Sequence, residues 1–150
     1  MTIHIRRAEK RDAVELAALF DEYRHFFTGM RDLEGSRDFI DDRLRLEDSV
    51  LLVANNGERT IGFLQLYPLF SSWYATRIWF LSDLYVDETY RNAKTGRALV
   101  EQAQRYARNG GSRNIMVEIP HSEPHLITFY QNLGFTRDKT FDLYRYYLVD

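Results

Sequence analysis

The stretch "LSDLYVDETYRNAKTGRALVEQAQRYARNGG", residues 81–111, decides the fold. It continues an apolar run, "RIWFLSDLYVD" (77–87), in which nearly every position is apolar. Such a run predicts a central strand covered on both faces. Past "YRNAKTGRAL" (90–99), Leu99, Val100, Ala103, Tyr106 and Ala107 fall on one helical face, and Arg97, Glu101, Gln104, Arg105 and Arg108 fall mostly elsewhere. The pair "GG" at 110–111 ends that helix. "NIMVEIP" (114–120) then reads as a strand. A strand–helix–strand unit of this kind places its two strands parallel.

Upstream, "IHIRRA" (3–8) alternates and predicts a short strand. From Arg11, the residues Leu16, Leu19, Phe20, Tyr23, Phe26 and Phe27 make one apolar stripe at helical spacing, with Gly29 as the stop. "SRDFIDDRLRLED" (36–48) predicts a second helix with Phe39, Ile40, Leu44 and Leu46 inward. "SVLLVANN" (49–56) and "TIGFLQLYPLF" (60–70) form an antiparallel hairpin through "NGE" (56–58), since Asn-Gly takes positive φ readily. Downstream, "EPHLITFYQNLGF" (123–135) is a short helix ended by Gly134, and the alternation in "TFDLYRYYLV" (140–149) predicts a last strand. The order β-α-α-β-β-β-α-β-α-β gives an α/β chain: a mixed, mostly antiparallel sheet flanked by helices, in a single domain spanning 1–150.

With 45% hydrophobic residues, 150 positions suffice for one buried core. The net charge of −2, from 20 basic and 22 acidic residues, argues against a nucleic-acid binder that works by neutralising phosphates. There is no cysteine, which removes disulfides, thiolate metal sites and cysteine nucleophiles together. The four histidines lack ligand spacing, so no metal site is expected. No apolar stretch is of bilayer length and the N-terminus has no signal-type apolar region, so the expectation is a soluble cytoplasmic protein without membrane partners.

The chemistry concentrates where strand gives way to helix. A helix N-terminus has free N–H groups and a partial positive charge, and so attracts phosphate. Gly96 allows close approach of backbone and ligand, while Arg91, Lys94 and Arg97 add charge. On its own, this composition also fits a solvated turn.

The context is more specific. Arg91-Asn92-Ala93-Lys94-Thr95-Gly96, following "LSDLYV", resembles the acetyl-CoA-binding motif of the GNAT (GCN5-related) N-acetyltransferase superfamily, and the element order resembles that fold over essentially the whole chain. "FYQNLGF" (129–135) looks like the family's second signature. "FLQLYPLFSS" followed by "WFLSDLYV" is similar to the subgroup of small amine, histone and polyamine acetyltransferases. The resemblance implies acetyl-CoA as co-substrate, bound by Leu84, Tyr85, Val86, Arg91, Asn92, Ala93, Lys94, Thr95, Gly96 and Arg97. It implies transfer to a primary amine (of a small molecule, a polyamine, a lysine or an N-terminus) by direct attack in a ternary complex. A backbone amide of Leu84-Tyr85-Val86 then meets the acetyl carbonyl, and Tyr130 protonates the departing thiolate.

One departure stands out: the family's first glycine is Lys94 here. Good helix formers follow it, so position 94 is expected near-helical, where lysine costs little and adds a charge towards the phosphates. A conformation reached easily only by glycine would instead weaken CoA binding. That possibility sustains an alternative: a catalytically weak acyl-CoA sensor or interaction module.

Asp83 is the lone acid inside the apolar run 78–86. A carboxylate buried there is costly unless it has a partner or a task, which makes it the first candidate for the base. A structural carboxylate is the competing reading. Glu118 is a second candidate base, and His121 and His125 lie in the loop before Tyr130. In the GNAT fold the segment joining the first two helices commonly lines the acceptor site. Here it is 26–38, whose Asp32, Glu34 and Asp38 suit a polyamine or lysine-like cation, with Trp73 and Tyr74 as further border candidates. The aromatic final strand is an edge suited to pairing across a homodimer.

Overall fold

A computed structural model describes residues 2–149, the side chains of Asn92 and Ala93 excepted. Contacts divide the chain into two compact units, one ending at Glu118 and the other beginning at Ile119.

The first unit holds a five-stranded sheet in the order β1-β2-β3-β4-β5. The strands are β1 (His4–Arg7), β2 (Val50–Asn55), β3 (Thr60–Ser71), β4 (Thr76–Val86) and β5 (Ile115–Val117). Neighbouring pairs up to β3–β4 are antiparallel, and β4 pairs with β5 in parallel, as the crossover predicts. The helices are α1 (Ala13–Thr28), α2 (Leu33–Leu46) and α3 (Thr95–Asn109).

Helices α1 and α2 cover one face. Leu16, Ala17, Leu19, Phe20 and Ile40 pack there with Leu51, Val53 and Phe63, which occupy alternate positions of β2 and β3. Gly29 ends α1 in the left-handed conformation at φ 76°, as its place in the sequence predicts. The expected stripes run out sooner than their periodicity suggests. Phe26, Phe27 and Leu46, in the last turns of the two helices, are exposed.

Helix α3 presents buried Leu99, Val100, Ala103 and Ala107 to the opposite face. Gly62 makes this approach possible. A Cβ there would lie 3.1 Å from the Tyr85 carbonyl oxygen, 3.3 Å from Val86 Cγ2 and 3.5 Å from Leu99 Cδ1.

In the second unit, α4 (His125–Asn132) is followed by Gly134 at φ 93°, which stops the helix as expected. The strand expected over 140–149 is not formed. That segment has neither helix nor strand, and Tyr144, Tyr146 and Leu148 are exposed. Alternation gives a segment strand propensity, but a strand exists only by pairing, and no ladder joins this one among the described residues.

Candidate active site

The site begins with an irregularity in β4. Gln65 pairs with Asp83 while the next residue, Leu66, pairs with Leu81. Ser82 is therefore an extra residue without a partner on β3, the signature of a bulge, which re-aims the side chains beside it. On the other side, the ladder to β5 stops at Leu81 opposite Val117. From Ser82 to Val86 the β5-facing edge of β4 has no strand partner among the described residues. Leu84, Tyr85 and Val86 lie on this open edge.

Asp83 shares the α1 side of the sheet with Tyr85, two residues on. It is 7% exposed. Gln65 Nε2 donates to Asp83 Oδ2 at 2.9 Å, and Ser49 Oγ donates to Gln65 Oε1 at 2.7 Å. Burial pushes the Asp83 carboxyl above the usual carboxylate range, against hydrogen bonds from Gln65, Tyr23 and Ser82 that pull it down. This is the environment of a group poised to take up a proton.

Next to it is a cleft of about 420 Å³ between the second half of α1 and the end of β4, lined by Glu22, His25, Phe26, Arg31, Tyr85, Asp87, Glu88, Thr89 and Arg91. Tyr85 Oη donates to Glu22 Oε2 at 3.5 Å. Arg91 lies over the Tyr85 ring at 5.3 Å from its centroid, and its Nε donates to the Val86 carbonyl at 3.1 Å. Asp83 does not line this cleft; the ring of Tyr23, 6.0 Å from that of Tyr85, adjoins the cleft wall.

Beyond β4, Asp87 opens the 3-10 turn Glu88–Ala93 by accepting from Thr89 N at 3.0 Å, and Lys94 links that turn to α3. Here one expectation is corrected. Lys94 is not near-helical but left-handed, with φ 61° and ψ 20°. Lys94 is both the end of the 3-10 turn and the residue before α3, and that junction overrides the helix propensity of the following residues.

The first turn of α3 nevertheless suits an anion. It carries no acidic side chain, and Lys94 supplies no side-chain cap. Thr95 Oγ1 is buried without a hydrogen-bond partner among the described residues. Free amides, an orphaned hydroxyl and the exposed cations Lys94 and Arg97 are what a phosphate group takes. Of the remaining expected members, Gly96 is half-buried at the helix start, and the side chains of Asn92 and Ala93 lie outside the described residues.

Tyr130, on α4, is 4% exposed and its ring meets Phe129 and Phe135 at 5.0 and 5.3 Å. Burial raises its pKa. Glu118 is exposed just past β5, and His121 and His125 are exposed. Asp32 caps α2 by accepting from Gly35 N at 3.0 Å, and Glu34 and Asp38 are exposed on that helix. Trp73 and Tyr74 sit exposed at the tip of the β3–β4 hairpin. No group of side chains suited to a metal ion occurs among the described residues.

The residues not anticipated are Gln65, Ser49, Tyr23 and Glu22. In the sequence the first two are single polar positions in apolar strands. The signal was Gln65 inside "FLQLY", which raises the same burial question as Asp83.

A sheet opened along one strand, ending at a helix start free for an anion, with a buried carboxylate at the opening, is the architecture of an acyltransferase fold. The chain belongs to the acetyltransferase (GNAT) family, whose model matches residues 16–135, and it is an acetyltransferase. It is 35% identical over 139 residues to the uncharacterized N-acetyltransferase YhfO of Bacillus subtilis (strain 168), covering 93% of each chain. It is 27% identical over 118 residues to a probable acetyltransferase of Haemophilus influenzae, covering 78% of this chain and 81% of that one. The crystal structure of a probable acetyltransferase, 34% identical, superposes with a TM-score of 0.92 over 98% of this chain and 99% of that one.

Proposed function

We propose that this chain moves an acetyl group from acetyl-CoA to a primary amine by direct attack in a ternary complex. The observation that carries the reading is the bulge at Ser82. It sets a buried carboxylate, held by neutral partners, beside a strand edge that has come away from its neighbour. Structural carboxylates are ordinarily paired with a cation, and no cation acts on this one among the described residues.

Bound acetyl-CoA supplies an activated thioester carbonyl. The first turn of α3, with Thr95, Gly96, Lys94 and Arg97, holds its pyrophosphate. A backbone N–H of Leu84–Val86 donates to the acetyl oxygen, where negative charge develops as the amine adds. Asp83 takes the ammonium proton, directly or through one water, so that the amine attacks in its neutral form. Tyr130, matched to the family's second signature, returns a proton to the thiolate. Its raised pKa keeps the phenol protonated until then.

The acceptor is an amine of a small molecule, a polyamine, a lysine or an N-terminus, with the cleft beside Tyr85 as its approach. A cytoplasmic location accords with the absence of cysteine. The family match runs across the boundary between the two units, which supports one functional domain over 1–150. A homodimer formed through the exposed aromatic segment 141–149 belongs to the same reading.

The second reading, an acyl-CoA sensor with weak turnover, is favoured by the left-handed Lys94. A thiol-release assay with acetyl-CoA and a panel of amines, beside calorimetric titration of acetyl-CoA alone, separates them. Amine-dependent release establishes the transferase. Binding without turnover on any amine of the panel leaves the sensor, or an acceptor outside the panel.

A further inference from the structure

We propose that Gln65, itself oriented by Ser49, is a positioning residue that commits Asp83 Oδ2 and leaves Oδ1 to take the acceptor's proton. The inference rests on the reading of Asp83 as the base and adds the device that makes it one.

The geometry is a chain of two hydrogen bonds across three strands. Ser49 leads into β2, Gln65 lies on β3 and Asp83 on β4, and all three side chains are buried. Gln65 is fully buried, so neither end of its amide reaches water. With Asp83 ionised, only one orientation satisfies both ends: the NH2 towards Asp83 and the carbonyl towards the Ser49 hydroxyl. The reverse would set the amide oxygen against a carboxylate oxygen.

An amide NH2 can only donate, so Oδ2 cannot carry a proton towards it. The other groups acting on Asp83 are Tyr23 from α1 and Ser82 from β4, and both are hydroxyls, which can donate to a carboxylate or accept from a carboxyl. They adapt when a proton arrives on Oδ1, and Gln65 does not. Tyr67, further along β3, is held up by burial and by the Asp83 charge and stays neutral. Arg43 and Asp48 act on Tyr67, one step removed. The base thus has one fixed oxygen and one adaptable oxygen, and the fixed one is set by a residue that exchanges no proton.

Gln65→Leu removes the amide at similar volume, and Ser49→Ala frees the amide to turn. Each is compared with wild type in two readouts: the carboxyl carbon-13 titration of Asp83, assigned by its loss in Asp83→Asn, and the acid limb of kcat/KM. The thermal melt of each variant establishes that it folds. The expected result is a midpoint raised by about half a pH unit or more in Gln65→Leu, and by less in Ser49→Ala, with the acid limb moving equally. An unmoved midpoint in both folded variants overturns the positioning role while leaving Asp83 as the base. An Asp83→Asn enzyme with full turnover at every pH overturns the base reading itself, and this inference with it.

Discussion

The Tyr23 hydroxyl donates to the backbone carbonyl of Ser82 at 3.3 Å, and Ser82 is the residue that the bulge leaves without a partner on β3. Helix α1 therefore fastens the irregular point of β4, and the same hydroxyl acts on Asp83. Tyr23→Phe removes the hydroxyl and keeps the ring contacts to Phe27, Phe63 and Tyr85. The expected loss of stability is about 1 kcal/mol, the usual net value of one hydrogen bond, read by urea unfolding. Because the hydroxyl also holds the Asp83 pKa down, its loss moves the acid limb of activity to higher pH. A limb that stays put while stability falls assigns Tyr23 to structure alone.

Asp83 also predicts a conflict between stability and activity. Its folded pKa lies above its unfolded value near 3.9, so the unfolded chain releases the proton more readily. Its contribution to stability is whole below that unfolded value and is lost as pH rises through the folded value. At pH 7 the ionised group costs about 1.4 kcal/mol for each unit of elevation. Asp83→Asn should be more stable than wild type at pH 7, with the gain shrinking towards pH 4, while turnover falls about 10²-fold or more. A variant less stable at pH 7 would mean that the carboxylate is held by more than neutral donors.

The sequence made the sheet legible because apolar alternation and helical spacing are local, and the order of elements then left few topologies. The bulge was not legible: Ser82 and Asp83 look alike as polar breaks in one run, and only the register with β3 separates them. Gln65 and Tyr23 were hidden for the same reason, since their partners lie 18 and 59 positions away. Lys94 shows the opposite failure. Its neighbours are helix formers, but its place at the junction of a 3-10 turn and a helix set its φ. The final segment has the pattern of a strand, but no ladder joins it among the described residues.

Lys94 should reveal itself by substitution with the residue its backbone favours. A non-glycine side chain in the left-handed region costs about 1 kcal/mol. Lys94→Gly is expected to gain about that much in stability. Lys94→Ala keeps the strain and removes only the charge, so it should match wild type in stability and bind acetyl-CoA several-fold more weakly. Paired melts and calorimetric titrations read both effects. Unchanged affinity in Lys94→Ala would show that the lysine points its charge away from the phosphates, and the gain in Lys94→Gly would then be strain relief alone.

Asp21 ties α1, which walls the cleft, to α2. It is 4% exposed, and its Oδ1 accepts from Ser36 Oγ and from the backbone N–H of Asp32, both at 2.9 Å. Ser36 in turn accepts from Arg24 Nη1 at 2.9 Å, and Arg31 lies 3.7 Å from Asp21 Oδ2. One buried carboxylate thus fixes the short connection between α1 and α2, which carries Arg31 into the lining of the cleft. Asp21→Ala leaves a buried hydroxyl and a backbone donor unpaired, a loss of about 2–3 kcal/mol. Asp21→Asn retains an acceptor oxygen and should lose less. Because the connection borders the cleft and does not touch Asp83, KM for the amine should rise in both variants, with kcat changed far less. A fall in kcat at constant KM would mean that the connection acts on the chemical step, and that the amine does not approach along this wall.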